Sequence, residues 1–449
     1  MPAGRARTGS TVNTTVYALA TPAGRSGVAV IRLSGGGAGG MLDALAGLPR
    51  PQPRMATLRA LRDSGGSVMD RGLVLWFPGP GSFTGEDSAE FHVHGGPAVI
   101  DAVLSALDEA GAHPAEAGEF TRRAFENEKI DLTEAEGLAD LIDAETEGQR
   151  VQALSQMSGS LRRLYDGWRD ALITAMASIE GEIDFPDEAD VPDALSHAAY
   201  EPLSELIGSM FEHLDDGRRG ERIRIGFSIV LIGAPNAGKS SLLNCLARRD
   251  AAIVTDIPGT TRDIVEVQLT LGGFPVVISD TAGLREAVDA IEAEGVRRAL
   301  DRAEHADLRI GVADARSDEE LVDLEGRLTD GDLLVLNKLD LGLVSERDGA
   351  YRLSAKSGDG VEALEARIEQ IVRDRLSVRE MPALSRVRHR RAVETALEAL
   401  SRCRDQLADA PELAGEDARL AVRALESLTG RVDVEDILDR VFSQFCIGK

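Results

Sequence analysis

The sequence predicts a multidomain chain, α/β plus α+β, in which a helical region is interrupted by an inserted α/β unit. Three observations predict it. Short β-rich runs separated by turn residues fill much of residues 1–129. Apolar residues at steps of three and four follow, and helical sequence returns near the C-terminus. Between these helical stretches runs a strand–loop–helix series. The expected domains are 1–129, a helical domain made of 130–222 and 379–449, and an α/β domain at 223–378.

In the first domain, residues 16–33 (VYALATPAGRSGVAVIRL) place two β-rich runs around a Pro-Ala-Gly-Arg turn, which predicts a hairpin. Strands are predicted at 68–77 and 88–94, and helices near 97–110 and 117–127. The helical region opens at Thr133, which with Glu136 three residues later has the capping-box spacing. Leu154, Met157, Leu161, Leu164, Trp168, Leu172, Met176, Ile179 and Ile183 then form one face of a long helix. The prolines of DFPDEADVPD (184–193) break it, and more helix runs to about 218. A helix with such a stripe needs partners, which predicts that 380–449 packs with 130–220. The inserted unit carries four apolar runs, FSIVLIG from Phe227, FPVVISD at 274–280, LRIGVAD at 308–314 and DLLVLNK at 332–338. Such runs with helices between them predict a parallel sheet.

Composition limits the function. The chain has 449 residues, 43% of them hydrophobic, which suffices for several cores. No apolar run approaches the ~18 residues that span a bilayer. Cys245, Cys403 and Cys446 are far apart with no CxxC pair, which argues against a disulfide framework or a zinc site and for a cytoplasmic protein. The basic, hydroxyl-rich N-terminus lacks the apolar segment of a secretory signal and is expected to be a short disordered tail in preference to an organellar presequence. A net charge of −26 disfavours strong unaided binding to a nucleic-acid backbone.

GAPNAGKSS (233–241) follows an apolar strand and opens a helix, the context that a G-x-x-x-x-G-K-[ST] phosphate loop requires. Gly233 and Gly238 let backbone N–H groups wrap phosphates, with Asn236, Ala237 and Ser241 in the same loop. Lys239 reaches the β/γ oxygens, and the Ser240 hydroxyl ligates Mg2+. DTAG ends another strand: Asp280 addresses the magnesium's water shell, Thr281 and Ala282 follow, and Gly283 senses the γ-phosphate. In NKLD, Asn337 and Lys338 precede Asp340, whose carboxylate can accept the N1–H and 2-amino groups of guanine. Adenine has no such donor pair, so the site is expected to prefer GTP. Ser354, Ala355 and Lys356 add a backbone contact to the guanine oxygen. In the loop TDIPGTT, Thr255 to Gly259 lead to Thr260 and to Thr261, a second candidate for Mg2+ and the γ-phosphate. After DTAG stands Leu284, which cannot orient an attacking water.

Across nearly its whole length the chain resembles the MnmE/TrmE tRNA-modification GTPases. The resemblance is carried by TPAGRSGVAVIRLSG, SFTGEDSAEFHVHGG, AGEFTRRAFENEKIDLTEAEGLADLIDA, IDFPDE, GAPNAGKSSLLN, AAIVTDIPGTTRD, DTAGLRE and the final CIGK. It implies an N-terminal folate-binding domain that dimerises, a discontinuous all-α domain and an inserted Ras-like P-loop G domain. It also implies modification of C5 of a tRNA wobble uridine, of carboxymethylaminomethyl or aminomethyl type. A homodimer would act with an FAD-dependent partner subunit as a heterotetramer, FAD staying in the partner, using a 5-formyl or methylene tetrahydrofolate. GTP hydrolysis would be activated by K+. By the same resemblance Asn236, Thr255, Ile257 and Thr260 are the K+ ligands, Glu292 positions water, and Arg32, Glu90, Lys129 and Lys449 contact folate. Asp256 and Pro258 complete that loop; Pro258 stands where some relatives have alanine. Cys446 is expected beside the cofactor or the uridine, either as a thiolate nucleophile or as a buried structural thiol.

Other readings stay open at this level. His92 and His94 share a strand face, as a metal pair or, preferably, as ordinary strand residues. RVRHRRA (386–392) is an RNA contact or a salt-bridged helix face. The alternatives for the whole protein are a ribosome-assembly or RNA-binding switch GTPase, and a folate sensor without chemistry of its own.

Overall fold

The computed structural model describes residues 14–184, 198–249, 266–280, 306–342, 347–377, 381–432, 435–443, 445 and 448. The chain forms two compact units, Met1–Ala139 with Glu426–Lys449, and Asp140–Leu425.

The first unit is built on a six-stranded sheet. Its strands are β1 (Val16–Leu19), β2 (Ser26–Ser34), β3 (Thr57–Arg62), β4 (Val68–Phe77), β5 (Ser88–Gly95) and β6 (His113–Pro114). Their spatial order is β3-β4-β5-β2-β1-β6, and β1 and β2 form the expected antiparallel hairpin. Alternation along β2 and β5 sends Ala29, Ile31, Leu33, Ala89, Phe91 and Val93 into one core, under helices 38–46 and 97–109. The same alternation sends Arg32 and Glu90, direct cross-strand partners, to the opposite face. Strand β3 and helix 38–46 had no predicted counterpart. Two glycines lower the helical propensity of AGGMLDALA, and buried Leu42 and Leu45 outweigh it by packing.

The last residues pack within this unit. Val441, Phe442 and Phe445 are buried with Leu132 and Ala135, and burying each phenylalanine stabilises the tail by about 1.5–3 kcal/mol. Gly118 is required beneath them: at φ 69°, a Cβ there would overlap the Phe442 carbonyl. Helix 132–142 also starts differently from expectation. Thr133 lies inside it, and the reciprocal cap is formed by Asp131 and Glu134, each accepting the other's backbone N–H at 2.8 Å.

The second unit holds a sheet of order β12-β11-β10-β7-β9-β8. Its strands are β7 (Phe227–Ile232), β8 (Glu266–Leu271), β9 (Phe274–Asp280), β10 (Leu308–Asp314), β11 (Leu333–Asn337) and β12 (Tyr351–Arg352). Strands β7 and β9 to β12 pair in parallel, as expected for the four apolar runs, and β8, which had no predicted counterpart, is antiparallel to β9. The Gly272–Gly273 pair, both at positive φ, makes the tight hairpin that joins β8 to β9.

The predicted long helix is two, 147–157 and 160–184, because Gly159 at φ 76° interrupts it. Thr146 and Gln149 form a capping box on the first. In the second, Leu161, Tyr165, Trp168, Leu172, Ala175 and Ile179 are buried, so the inward stripe passes through Tyr165 and Ala175 where Leu164 and Met176 were expected. Leu154 is 39% exposed and lies off that face. Trp168 donates to Ser209 Oγ at 3.0 Å and meets the His213 ring edge-on at 5.0 Å, which seats helix 160–184 on helix 200–214. Tyr165 meets His389 of helix 387–406, so the helices before and after the second sheet pack together.

Arg390 ties this packing. Its guanidinium donates to Glu221 Oε1 at 3.1 Å, Asp216 Oδ1 at 3.1 Å and the Leu214 carbonyl at 2.7 Å. Breaking a buried pair leaves an uncompensated charge, so Glu221→Ala is expected to lower unfolding stability by about 3–5 kcal/mol. Denaturant melts of the variant and wild type measure it, and a loss under about 1 kcal/mol would mean the pair is solvated.

Candidate nucleotide-binding site

The loop between β7 and helix 239–249 is bent by residues in unusual backbone regions. Gly233, Asn236 and Gly238 have φ of 151°, 66° and 98°. A Cβ on Gly233 would overlap the Val312 carbonyl, and one on Gly238 would overlap Asn337 Nδ2. Glycine is therefore needed twice, so that the loop can lie against β10 and β11. Asn337, at the end of β11, donates from Nδ2 to the Ala237 carbonyl at 2.9 Å and accepts the Ala355 N–H on Oδ1 at 3.0 Å. One amide thus joins the phosphate loop to the Ser354–Lys356 loop.

The polar groups of the motifs lie on and beside this loop. Lys239, 4% exposed, donates from Nζ to the carbonyls of Gly233 and Ala234 at 2.8 and 3.0 Å. Burial pushes its pKa below the ordinary lysine value, with Asp280 and Glu320 acting against that shift. A phosphate placed there would restore the solvation the ammonium has lost. The Ser240 hydroxyl donates to Asp280 Oδ2. A hydroxyl and a carboxylate from two different elements therefore converge, an all-oxygen pair that suits Mg2+.

On the base side, Asp340 accepts the Ser354 hydroxyl on Oδ1 at 2.8 Å and lies exposed on a cleft of about 670 Å3. Asn337, Lys338, Ala355 and Lys356 line the same cleft. Sequence reasoning missed Asn244, Cys245 and Arg248, which also line it. Their signal was the three- and four-residue spacing from Ser241 along one face of helix 239–249. It also missed Asp314, whose Oδ2 accepts Lys338 Nζ at 3.0 Å. Thr255 to Thr261, Thr281 to Gly283, Leu284, Glu292, Cys446 and Lys449 lie outside the described residues.

In the first unit, Arg32 donates to Glu90 Oε1 from Nε at 3.2 Å and Nη2 at 3.1 Å. Its Nη1 donates to the Gly448 carbonyl at 3.4 Å. Gly448, at φ 99°, makes a tight bend, and a Cβ there would crowd the Leu19 carbonyl. Lys129 is exposed and donates to the Pro80 carbonyl at 2.8 Å. His92 pairs with Glu90 and His94 with Asp70, at 3.0 and 2.8 Å. The strand-face reading of the two histidines fits these contacts. In the basic run, Arg386 pairs with Asp140 at 2.7 Å, Arg390 is internal and His389 is fully buried, so much of it faces protein.

Residues 15–129 match the family described as GTP-binding protein TrmE N-terminus, and residues 132–446 match the MnmE helical domain. A Paramagnetospirillum magneticum protein named tRNA modification GTPase MnmE is 54% identical over 443 residues, covering 97% of this chain and 99% of that protein. The chain belongs to the MnmE family. A Caulobacter vibrioides protein with the same name is 52% identical over 446 residues, covering 97% of this chain and 99% of its own length.

For this MnmE-family chain the loop contacts make a sharp expectation. Gly238→Ala places a methyl against Asn337 and imposes roughly 1–3 kcal/mol of backbone strain. Titration with a fluorescent guanosine diphosphate should show at least a tenfold loss of affinity, roughly 1.4 kcal/mol. Unchanged affinity would mean that the loop does not depend on this close approach.

Proposed function

We propose that this chain is a GTPase acting in tRNA modification, which drives formation of a carboxymethylaminomethyl- or aminomethyl-type group at C5 of the wobble uridine. The observation that carries the GTPase part is the Asn337 amide, which ties the phosphate loop bearing Lys239 and Ser240, with Asp280 at the Ser240 hydroxyl, to a cleft that Asn337 and Asp340 line. The tRNA part rests on the printed name of relatives at 54% and 52% identity.

The chain's own groups divide the work. The loop N–H groups and Lys239 would neutralise the β/γ oxygens. Ser240 and Thr261 would hold Mg2+, with Asp280 on its water shell, and the ion would supply further charge neutralisation when bound. Asp340 would select guanine, as an acceptor for two donors that adenine lacks. Asn236 would hold K+ together with Thr255, Ile257 and Thr260, a cation in place of an arginine finger, and Glu292 would position the water. GTP turnover well above that in Na+ when assayed in K+ would support the cation, and equal rates would remove it.

The domain layout in this reading is a folate-binding, dimerising 1–129, a helical domain of 130–222 with 379–449, and a G domain of 223–378. Arg32, Glu90, Lys129 and Lys449 would bind a tetrahydrofolate one-carbon donor, and Cys446 would act beside it. The contact between Arg32 and the Gly448 carbonyl supports a shared place for the tail and that pair. An FAD-dependent partner subunit would complete a heterotetramer on tRNA in the cytoplasm. Mass spectrometry of tRNA from a deletion strain tests the function. Loss of the wobble-uridine modification, restored by the wild-type chain, is expected; unaltered tRNA would favour the ribosome-assembly reading.

A further inference from the structure

We propose that Asp314 is a positioning residue of the guanine subsite. It anchors the Lys338 ammonium, so that the lysine's alkyl stem stands as a fixed wall of the slot in which the base meets Asp340. The inference rests on the reading of this cleft as a guanine-nucleotide site.

Lys338 and Asp340 line the cleft, and Asp314 is absent from its lining. Asp314 can therefore act on a bound base only through another residue. Its Oδ2 accepts Lys338 Nζ at 3.0 Å. Lys338 has left-handed backbone geometry, φ 65°, which fixes where its side chain starts, and the ion pair fixes where it ends. A lysine held at both ends has given up its rotamer freedom before the base arrives, and its methylenes offer a flat purine an apolar surface. A lysine held at one end would pay that ordering cost on binding.

Asp314 is itself held firmly. Arg316 donates to it from Nε at 2.9 Å, Nη2 at 2.7 Å and the backbone N–H at 3.0 Å. The Asp314 backbone N–H donates to Glu320 Oε2 at 3.0 Å, and the residue pairs in register with Asn337 across β10 and β11. The strand pairing that places Asn337 under the phosphate loop thus also places Asp314 beside Lys338. The Arg316 hydrogen bonds, with Lys338 second, hold the Asp314 carboxyl well below the usual carboxylate range, so the anchor stays charged at any ordinary assay pH.

The test uses the full-length protein. Asp314→Ala and Asp314→Asn, the second keeping the shape without the charge, should each raise the KM for GTP and the Kd for fluorescent GDP about tenfold, with kcat at saturating GTP within about twofold. Asp314→Glu should restore part of the affinity. Lys338→Met keeps an unbranched stem without the ammonium, and in that background Asp314→Ala should cost nothing further. A purely structural role would lower the melting temperature and kcat without this KM change, and without coupling to Lys338. Wild-type KM in Asp314→Asn, or additive losses in the double variant, would overturn the proposal. A wild-type protein that binds ADP as tightly as GDP would instead remove the guanine reading beneath it.

Discussion

The amide of Asn337 is the contact on which the nucleotide site depends. It sits at the end of a buried strand and bonds one way to Ala237 and the other way to Ala355. A neutral amide can donate and accept at once, which a carboxylate or an ammonium cannot. That dual capacity lets a single side chain set the distance between the phosphate loop and the base loop. Gly238 completes the arrangement by leaving space where any other residue would strike the amide nitrogen. Lys239, Ser240 and Asp340 take their places relative to this tie.

The sheet makes the tie possible. Parallel pairing brings the C-terminal ends of β7, β9, β10 and β11 to one edge, and the loops that leave those ends carry the chemistry. A register slip of one residue between β10 and β11 would turn Asp314 and Asn337 out of line with each other. The first unit uses alternation in a related way. The period that buries Ile31 and Phe91 leaves Arg32 and Glu90 paired on the other face, where Arg32 also meets the Gly448 carbonyl.

Much of this was legible in the sequence because local rules and tertiary packing agree. The phosphate loop is short, contiguous and framed by a strand and a helix, so its spacing alone located Lys239 and Ser240. The strands at 68–77 and 88–95 were legible from β-rich composition. The failures have physical causes. Gly159 breaks a helix without breaking its apolar period, so the stripe reads through the interruption. Strand β8 was missed because it lies outside the four continuous apolar runs and is held by a two-glycine hairpin. Asp131 displaced Thr133 as cap because both residues are competent and only the chain's path decides between them. Asp314 carried no motif, since its role arises from pairing with a strand more than twenty residues away.

The central claim is that this cleft is built to read guanine on a tethered phosphate loop. Competitive displacement of a fluorescent nucleotide from the full-length protein, with GDP and ADP in parallel at fixed Mg2+ and K+, tests it most directly. The account predicts that GDP binds at least about a hundredfold more tightly, because ADP lacks the two donors that Asp340 is placed to accept. Equal affinities for the two diphosphates would contradict it.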